Sequence, residues 1–275
     1  MGTRPAGRQA PVALSIAGSD PSGGAGIQGD LKTFSALGAY GTAVITALTA
    51  QNTREVSGIH LVPADFVAQQ LHALVADIQV DAIKIGMLGS AEVAQTVAAF
   101  LVEHPHEVVV LDPVMFATSG DRLLAAGGVE ALHRLLPLVS LVTPNLPEAA
   151  RLLRCEVAGD IGEMHDQARR LMDAGAVRVL LKGGHAESDT DAIDVFVGPE
   201  GEQVLRAQRI ATRNTHGTGC ALASAIAVLR LQRAGWVEAV AAAKAWVTTA
   251  IGAADALQVG EGRGPVHQLH QLWGR

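Results

Sequence analysis

VALSIAGSDPSGGAGIQGDLKTFSAL, residues 12–37, decides the fold. VALSIAG (12–18) is an apolar run of strand length, and in Ile27 to Leu37 the residues Leu31, Phe34 and Leu37 recur at helical spacing. Between them lies a glycine-rich loop, and strand, loop and helix in that order open an α/β fold. Gly24-Ala25-Gly26-Ile27-Gln28-Gly29 also fits G-x-G-x-x-G, the fingerprint of dinucleotide binding. That reading fails on context. The fingerprint needs its first glycine at the strand end, yet Ser19-Asp20-Pro21-Ser22-Gly23 intervenes before Gly24. It also needs an acidic residue ending the next strand, where AVITALTAQN offers Gln51. What remains is Asp20, a carboxylate at a strand end beside a backbone almost bare of side chains, which suits close approach by a small ligand.

Working outward, strands and helices alternate. Strands are expected at AVITALTA (43–50), VSGIHLV (56–62), DAIKIG (81–86), EVVVLDP (107–113), SLVTPN (140–145) and VRVLLKG (177–183). Helices are expected from Pro63, from a Ser90 cap to about Glu103, around 123–136, from Asn145, and over 161–174. AIDVFV and EQVLRAQRI form an antiparallel pair around Gly198-Pro199-Glu200-Gly201, and two Ala-rich helices follow at 218–233 and 236–254. This β-α-β-α order predicts a three-layer α-β-α sandwich with a mainly parallel central sheet. One domain over 11–275 is expected, after a loose tail at 1–10 that lacks the apolar core of a signal peptide. In such sheets ligands sit at the carboxyl ends of strands.

Composition narrows the class. The chain has 275 residues, 49% of them hydrophobic and only 3% aromatic, so the core must rest on Ala, Val, Leu and Ile. The net charge of −6 and the lack of a basic stripe argue against a nucleic-acid partner. Cys155 and Cys220 form neither a disulfide framework nor a zinc spacing, and a reducing, cytoplasmic setting is expected. Ser35 to Thr53 carries no charge, but Gly38, Gly41 and many polar residues make it a helix end and a strand, and no membrane partner is expected.

A second glycine cluster, Asn214-Thr215-His216-Gly217-Thr218-Gly219-Cys220, precedes the helix ALASAIAVLRLQ. Gly217 and Gly219 let successive N–H groups turn inward, and the helix adds its positive end, which builds an anion hole. No Walker-type P-loop occurs. Cys220 at the helix start is expected to have a lowered thiol pKa. From the cysteine alone, a buried small hydrophobe is the commoner fate.

These motifs resemble the hydroxymethylpyrimidine/phosphomethylpyrimidine kinase family of the ribokinase-like superfamily. The resemblance rests on the segment at 18–41, on VITALTAQNT (44–53), KIGML (84–88), LDPVM (111–115), TPNLPEA (143–149), LKGGH (181–185), NTHGTGC (214–220) and GPVHQLH (264–270). They cover nearly the whole chain after the tail, in family order. Gly29 departs from the pattern, where the family usually has Ala, and AESDTDAID (186–194) does not align.

The resemblance implies a ribokinase-like fold, ATP as co-substrate with Mg2+, and successive phosphorylation of 4-amino-5-hydroxymethyl-2-methylpyrimidine to the mono- and diphosphate in thiamine biosynthesis. It implies that Gln51 hydrogen-bonds the aminopyrimidine, with Gly18 and Asp20 lining the pocket and Met87 and Val114 packing on the ring. Gly217, Thr218 and Gly219 would form the anion hole and Cys220 would occupy the catalytic-base position. Asp112 and Glu148, with Asn145, would organise magnesium, and Asn145 and Lys182 would serve ATP. Each has a bland alternative: Asn145 as only a helix cap, Glu148 as only a first-turn acid, Asp112 as a turn residue before Pro113 and Lys182 as a solvated strand end. Taken singly, those readings win for Asn145 and Glu148, but the shared place of all four at the strand ends argues for the site. His216 is expected to fix the turn, and His267 and His270 to be structural. A homodimer is also implied. The alternatives are a pyridoxal kinase of the same branch and a non-catalytic pyrimidine-binding regulatory protein.

Overall fold

The computed structural model describes residues 10–115, 127–184 and 191–273. The chain begins with β1 (Val12–Ala17), α1 (Gly26–Ala36), β2 (Tyr40–Ile45), β3 (Ala47–Gln51), β4 (Val56–Leu61) and α2 (Ala64–Val75). It continues with β5 (Ala82–Ile85), α3 (Ala91–Glu103), β6 (Val109–Leu111), α4 (Gly128–Leu135), β7 (Leu141–Val142), α5 (Leu146–Leu153) and α6 (Ile161–Asp173). It ends with β8 (Val179–Lys182), β9 (Asp191–Gly198), β10 (Gly201–Gln208), α7 (Thr218–Arg230), α8 (Trp236–Gly252) and the short α9 (His270–Trp273). The tail expected at 1–10, the first residues of the helix expected at 123–136 and most of 186–194 lie outside the described residues.

Eight strands form one sheet in the order β10-β9-β8-β7-β6-β5-β1-β2. From β2 to β8 every pairing is parallel, and β9 then runs antiparallel to both β8 and β10. The chain steps from β1 to β2 on one side and returns to β5 on the other, so the switch point lies beside β1. Strand alternation divides the core in two. Ile83, Ile85, Val109 and Leu111 pack with Val67, Leu71, Val97 and Leu132, from α2, α3 and α4. Ala82, Val110 and Leu180 face the opposite way, onto Ala223, Ile226, Ala239 and Ala243 of α7 and α8. Alanines let these last two helices approach closely, which explains how so few aromatics suffice. The sandwich expected from element order is the observed architecture.

One strand expectation is corrected, and a second expected strand forms outside the main sheet. AVITALTA is not one buried strand. It breaks at Thr46, whose hydroxyl donates to the Met87 carbonyl at 2.6 Å, and β3 leaves the main sheet to pair antiparallel with β4. VSGIHLV is therefore not in the main sheet, and β4 is largely exposed. This two-stranded flap is stitched back by Ser19 N–H to the Ala47 carbonyl (2.8 Å) and by Thr49 Oγ1 to the Ser19 carbonyl (2.9 Å). Pro63 stands at the N-cap of α2, one residue before the first turn expected to hold it. Ser90 caps α3 as expected, its hydroxyl accepting from Val93 N–H.

One polar knot sits within the apolar layers. Lys84 of β5 is fully buried and donates to both oxygens of Asp30 on α1, at 2.9 and 2.8 Å. Ser15 of β1 and Ser224 of α7 donate to the same carboxylate at 2.6 and 2.7 Å. Asp30 thus joins two strands and two helices. Removing one partner leaves an uncompensated buried charge. We expect Asp30→Ala to cost about 3–5 kcal/mol in denaturant unfolding. The double replacement Asp30→Leu with Lys84→Met is expected to recover most of that loss, because it leaves no charge behind. A cost below about 1 kcal/mol for Asp30→Ala would show that the knot is not needed for stability.

Candidate active site

The strand ends do what their order requires. Gly18 follows β1, Met87 follows β5, Asp112 and Val114 follow β6, Asn145 follows β7, and Lys182 ends β8. Together with Asp20, Gln51, Glu148 and Gly217 to Cys220 they line one continuous cavity of about 880 Å3. Every site residue named from the sequence therefore falls in the same space.

At one end of the cavity lies the flap. Thr49 and Gln51 share the inward face of β3 by its period-two alternation. Thr49 Oγ1, whose proton goes to the Ser19 carbonyl at 2.9 Å, lies 3.3 Å from the Gln51 carboxamide oxygen, so the two side chains stand side by side on that face. Met87 is buried opposite, and a Cβ on Gly18 would lie 3.1 Å from its sulfur, so the bare backbone at 18 is what lets the methionine close that wall.

The first loop is held by its own carboxylate. Asp20 Oδ1 accepts from Ser22 N–H (2.9 Å) and Ser22 Oγ (2.7 Å). Its Oδ2 accepts from Gly24 N–H (3.2 Å), Ala25 N–H (2.9 Å) and His216 Nε2 (2.7 Å). Burial alone would raise this acid, but the bonds from His216 and Ser22, the His216 charge and the Ala25 N–H outweigh it and hold the pKa at about 2. The carboxylate expected to face a ligand is spent on organising the loop. His216 fixes the second glycine turn against the first, as expected.

Contact between the turns needs glycine. A Cβ on Gly217, at φ +79°, would lie 2.0 Å from the Gly24 carbonyl oxygen, and one on Gly24 would lie 2.5 Å from the His216 ring. Gly29 belongs to the same packing, since a Cβ there would sit 2.7 Å from the Gly24 oxygen.

At the other end α7 opens with Thr218, Gly219 and Cys220; Thr218 N–H donates to the Thr215 carbonyl at 3.2 Å, and the Gly219 and Cys220 N–H groups belong to the first turn, where no helix carbonyl can satisfy them. The Thr218 hydroxyl is turned back onto the Thr215 carbonyl at 2.7 Å, so it stabilises the turn. Lys182 Nζ bonds Asp112 Oδ1 at 2.7 Å, and a Cβ on Gly219 would come within 3.2 Å of that ammonium. The strand-end lysine is therefore a buried ion pair and not a solvated charge. Burial would lower its pKa, but Asp112 and Glu148 raise it above the ordinary value. Asn145 is a helix cap as well as a cavity residue, forming a reciprocal capping box with Glu148 at 2.8 and 2.9 Å. Burial, reinforced by Asp112 and opposed by Lys182, pushes the Glu148 carboxyl up to about 7.

Cys220 departs from expectation. The helix start should lower its thiol pKa, yet burial pushes it up to about 11, and Asp30 and Asp112 act in the same direction. Lys84 and a Gly26 N–H oppose the shift without reversing it.

Two lysines were missed in the sequence. Lys84 stood inside the apolar run DAIKIG, where a charge must find a partner, and that was the available signal. It also borders the cavity. Lys244, amid the alanines of α8, is buried on Asp194 at 2.6 Å, and Asp194 accepts from Gly183 N–H at 3.1 Å. This pair braces the backbone beside Lys182. His267 and His270 pack with Trp273 and Trp246, which agrees with a structural role.

Comparison with known proteins places the chain in a family. The model of the phosphomethylpyrimidine kinase family matches residues 20–267. The hydroxymethylpyrimidine/phosphomethylpyrimidine kinase of Salmonella typhimurium is 53% identical over 262 residues, 95% of this chain and 98% of that one. Among solved structures, a phosphomethylpyrimidine kinase from Clostridium difficile is 38% identical with a TM-score of 0.77, over 88% of this chain and 99% of that chain. A Staphylococcus aureus pyridoxal kinase in complex with ADP is 33% identical with a TM-score of 0.88, over 97% and 96% of the two chains. With its cavity at the strand ends and these likenesses along almost its full length, the chain belongs to the phosphomethylpyrimidine kinase family.

Proposed function

We propose that this protein transfers phosphate from ATP to 4-amino-5-hydroxymethyl-2-methylpyrimidine and then to the resulting monophosphate, as one kinase domain over 11–275 serving thiamine biosynthesis. The observation that carries the reading is one continuous cavity lined by Gln51, Met87 and Val114, which suit a heterocycle, and by Lys182 and the α7 N-terminus, which suit phosphate. Gln51 offers one donor and one acceptor, as an aminopyrimidine edge requires. Asp20 contributes indirectly, by fixing the backbone of Gly18 to Ala25 around the ring. The α7 amides and Lys182 position and neutralise the transferring phosphoryl group.

The donor set fits magnesium. Asp112, Glu148 and Asn145 supply hard oxygen ligands, directly or through water. When bound, the ion supplies neutralisation of phosphate charge. A cation there also favours the ionised form of Glu148, whose carboxyl otherwise titrates near 7. The Lys182–Asp112 pair is the resting arrangement of two groups that serve phosphate and metal respectively.

Pyridoxal is the second reading, favoured by the structural likeness to pyridoxal kinases and disfavoured by the higher identity to pyrimidine kinases. Incubation with MgATP and either alcohol, with products resolved by mass, separates them. The pyrimidine is expected to give mono- and then diphosphate, with pyridoxal turned over at least tenfold more slowly. Preference for pyridoxal would replace the reading, and tight pyrimidine binding without turnover would revive a regulatory role.

The assembly proposed is a homodimer. It is supported by the flap, which leaves Leu48, Ile59 and Leu61 exposed. Light scattering at one chain's mass would exclude it.

Cys220 occupies the base position, but its thiol is protonated at neutral pH, because a raised thiol pKa leaves the neutral form dominant until pH rises through about 11. Only its minor thiolate, favoured by Lys84, can take the alcohol proton. The first step needs that proton removed, and the second uses a phosphate oxygen already anionic. Cys220→Ala should therefore lower the first step about 10²-fold and the second by less than about tenfold. Equal losses would make Cys220 a wall of the anion hole. Alkylation of Cys220 by iodoacetamide should climb about tenfold per pH unit between roughly pH 7.5 and 9.5, and a plateau below pH 9 would contradict the raised thiol.

A further inference from the structure

Far from the cavity, α2 and α3 bring their C-terminal ends together. In this fold helices run back against the strands, so these ends lie at the opposite edge of the sheet from the strand carboxyl ends. His72 sits in the last turn of α2, Glu103 is the last residue of α3, and His104 is its C-cap. One ligand atom from each of the three lies within 4.8 Å of the other two. His104 Nε2 stands 3.9 Å from Glu103 Oε1, and it is shielded from solvent without a hydrogen-bond partner. The His72 and His104 rings are 5.9 Å apart, and Phe100 packs against both, at 6.3 and 5.0 Å. The phenyl ring thus gives the cluster an apolar floor, packed more closely on His104 than on the exposed His72.

We infer that His72, Glu103 and His104 form a binding site for a first-row divalent transition metal of the zinc class, clipping α2 to α3. Two imidazoles and a carboxylate are borderline donors that suit Zn2+, Co2+ or Ni2+ and do not suit Mg2+. Zinc–nitrogen bonds of about 2.0–2.1 Å put neighbouring ligand atoms roughly 3.3 Å apart. Side-chain rotation at the exposed His72 and Glu103 supplies the remaining closure. Two helix C-termini add their negative ends to the Glu103 charge, which favours a cation. The site is separate from Asp112 and Glu148 in place and in ligand chemistry.

The test uses untagged, chelator-treated protein without ATP, titrated with Co2+ and followed by its visible ligand-field bands, then displaced with Zn2+. One equivalent is expected with micromolar affinity. His72→Ala and His104→Ala should each weaken it at least tenfold, Glu103→Gln should weaken it measurably, and His60→Ala should not change it. Kinase turnover should be unchanged in all four variants. Zn2+ at a hundredfold excess over its Kd should raise Tm by roughly 5 °C, and the His72→Ala/His104→Ala double variant should lose that rise. Co2+ uptake that survives in the double variant would overturn the site, as would uptake only at millimolar concentration.

Discussion

The bond between His216 and Asp20 holds together two loops that the sequence keeps far apart. The 2.7 Å contact is buried, and its carboxylate is satisfied on every side by Ser22, Gly24, Ala25 and the imidazole. A buried charge is tolerated only on such terms. Once the contact is made, the Gly24 carbonyl sits where a side chain on Gly217 would be, and the flexible pieces have no other way to meet. The wall beside Gln51 and Met87 and the helix start at Gly217 are thereby placed on opposite sides of one cavity. Their separation is set by backbone packing and not by long, mobile side chains.

A second pattern governs the charges. Lys84 with Asp30, Lys182 with Asp112, and Lys244 with Asp194 are all largely buried lysine–aspartate pairs around the same space. Each pair neutralises its own buried charges, so stability is not lost to an unpaired ion, while Arg151, Arg209, Arg213 and Arg263 leave the cavity lining rich in cationic groups. The pairs differ in what else they do. Lys84 donates to both oxygens of an Asp30 carboxylate that Ser15 and Ser224 hold in place, so it is a fixed charge acting on Cys220. Among the described residues Lys182 makes one short bond, to Asp112, and the charges of Asp112 and Glu148 both act on it. Lys244 braces the backbone that follows Lys182.

Much of this was legible residue by residue. Apolar runs alternating with helical spacing dictate the layers, because a two-faced sheet must be covered on both sides. Ser90 and Asn145 announce their helices through side chains that act on neighbours only a few residues away. Met87, Asp112, Asn145 and Lys182 were legible because they follow strands of the main sheet, where chain order sends them to one edge, and Gly217 to Cys220 because of their glycine spacing before a helix. The flap was not. AVITALTA has a continuous strand pattern, and its break at Thr46 comes from a bond to Met87, which lies on a different strand end. Lys84 was read as part of a motif without a role, since its partners lie on α1, β1 and α7.

Sequence by itself determined the fold class, the failure of the dinucleotide reading, and which residues gather at the sheet's carboxyl edge, because periodicity, caps and glycine spacing act over short range. Tertiary structure alone decided the ionisation of those residues. Asp20 is held near 2, Glu148 rises to about 7 and Cys220 to about 11 through burial and partners brought from distant parts of the chain. The place of Cys220 at a helix start is a local feature that the sequence shows, whereas the burial that raises its thiol comes from the tertiary packing.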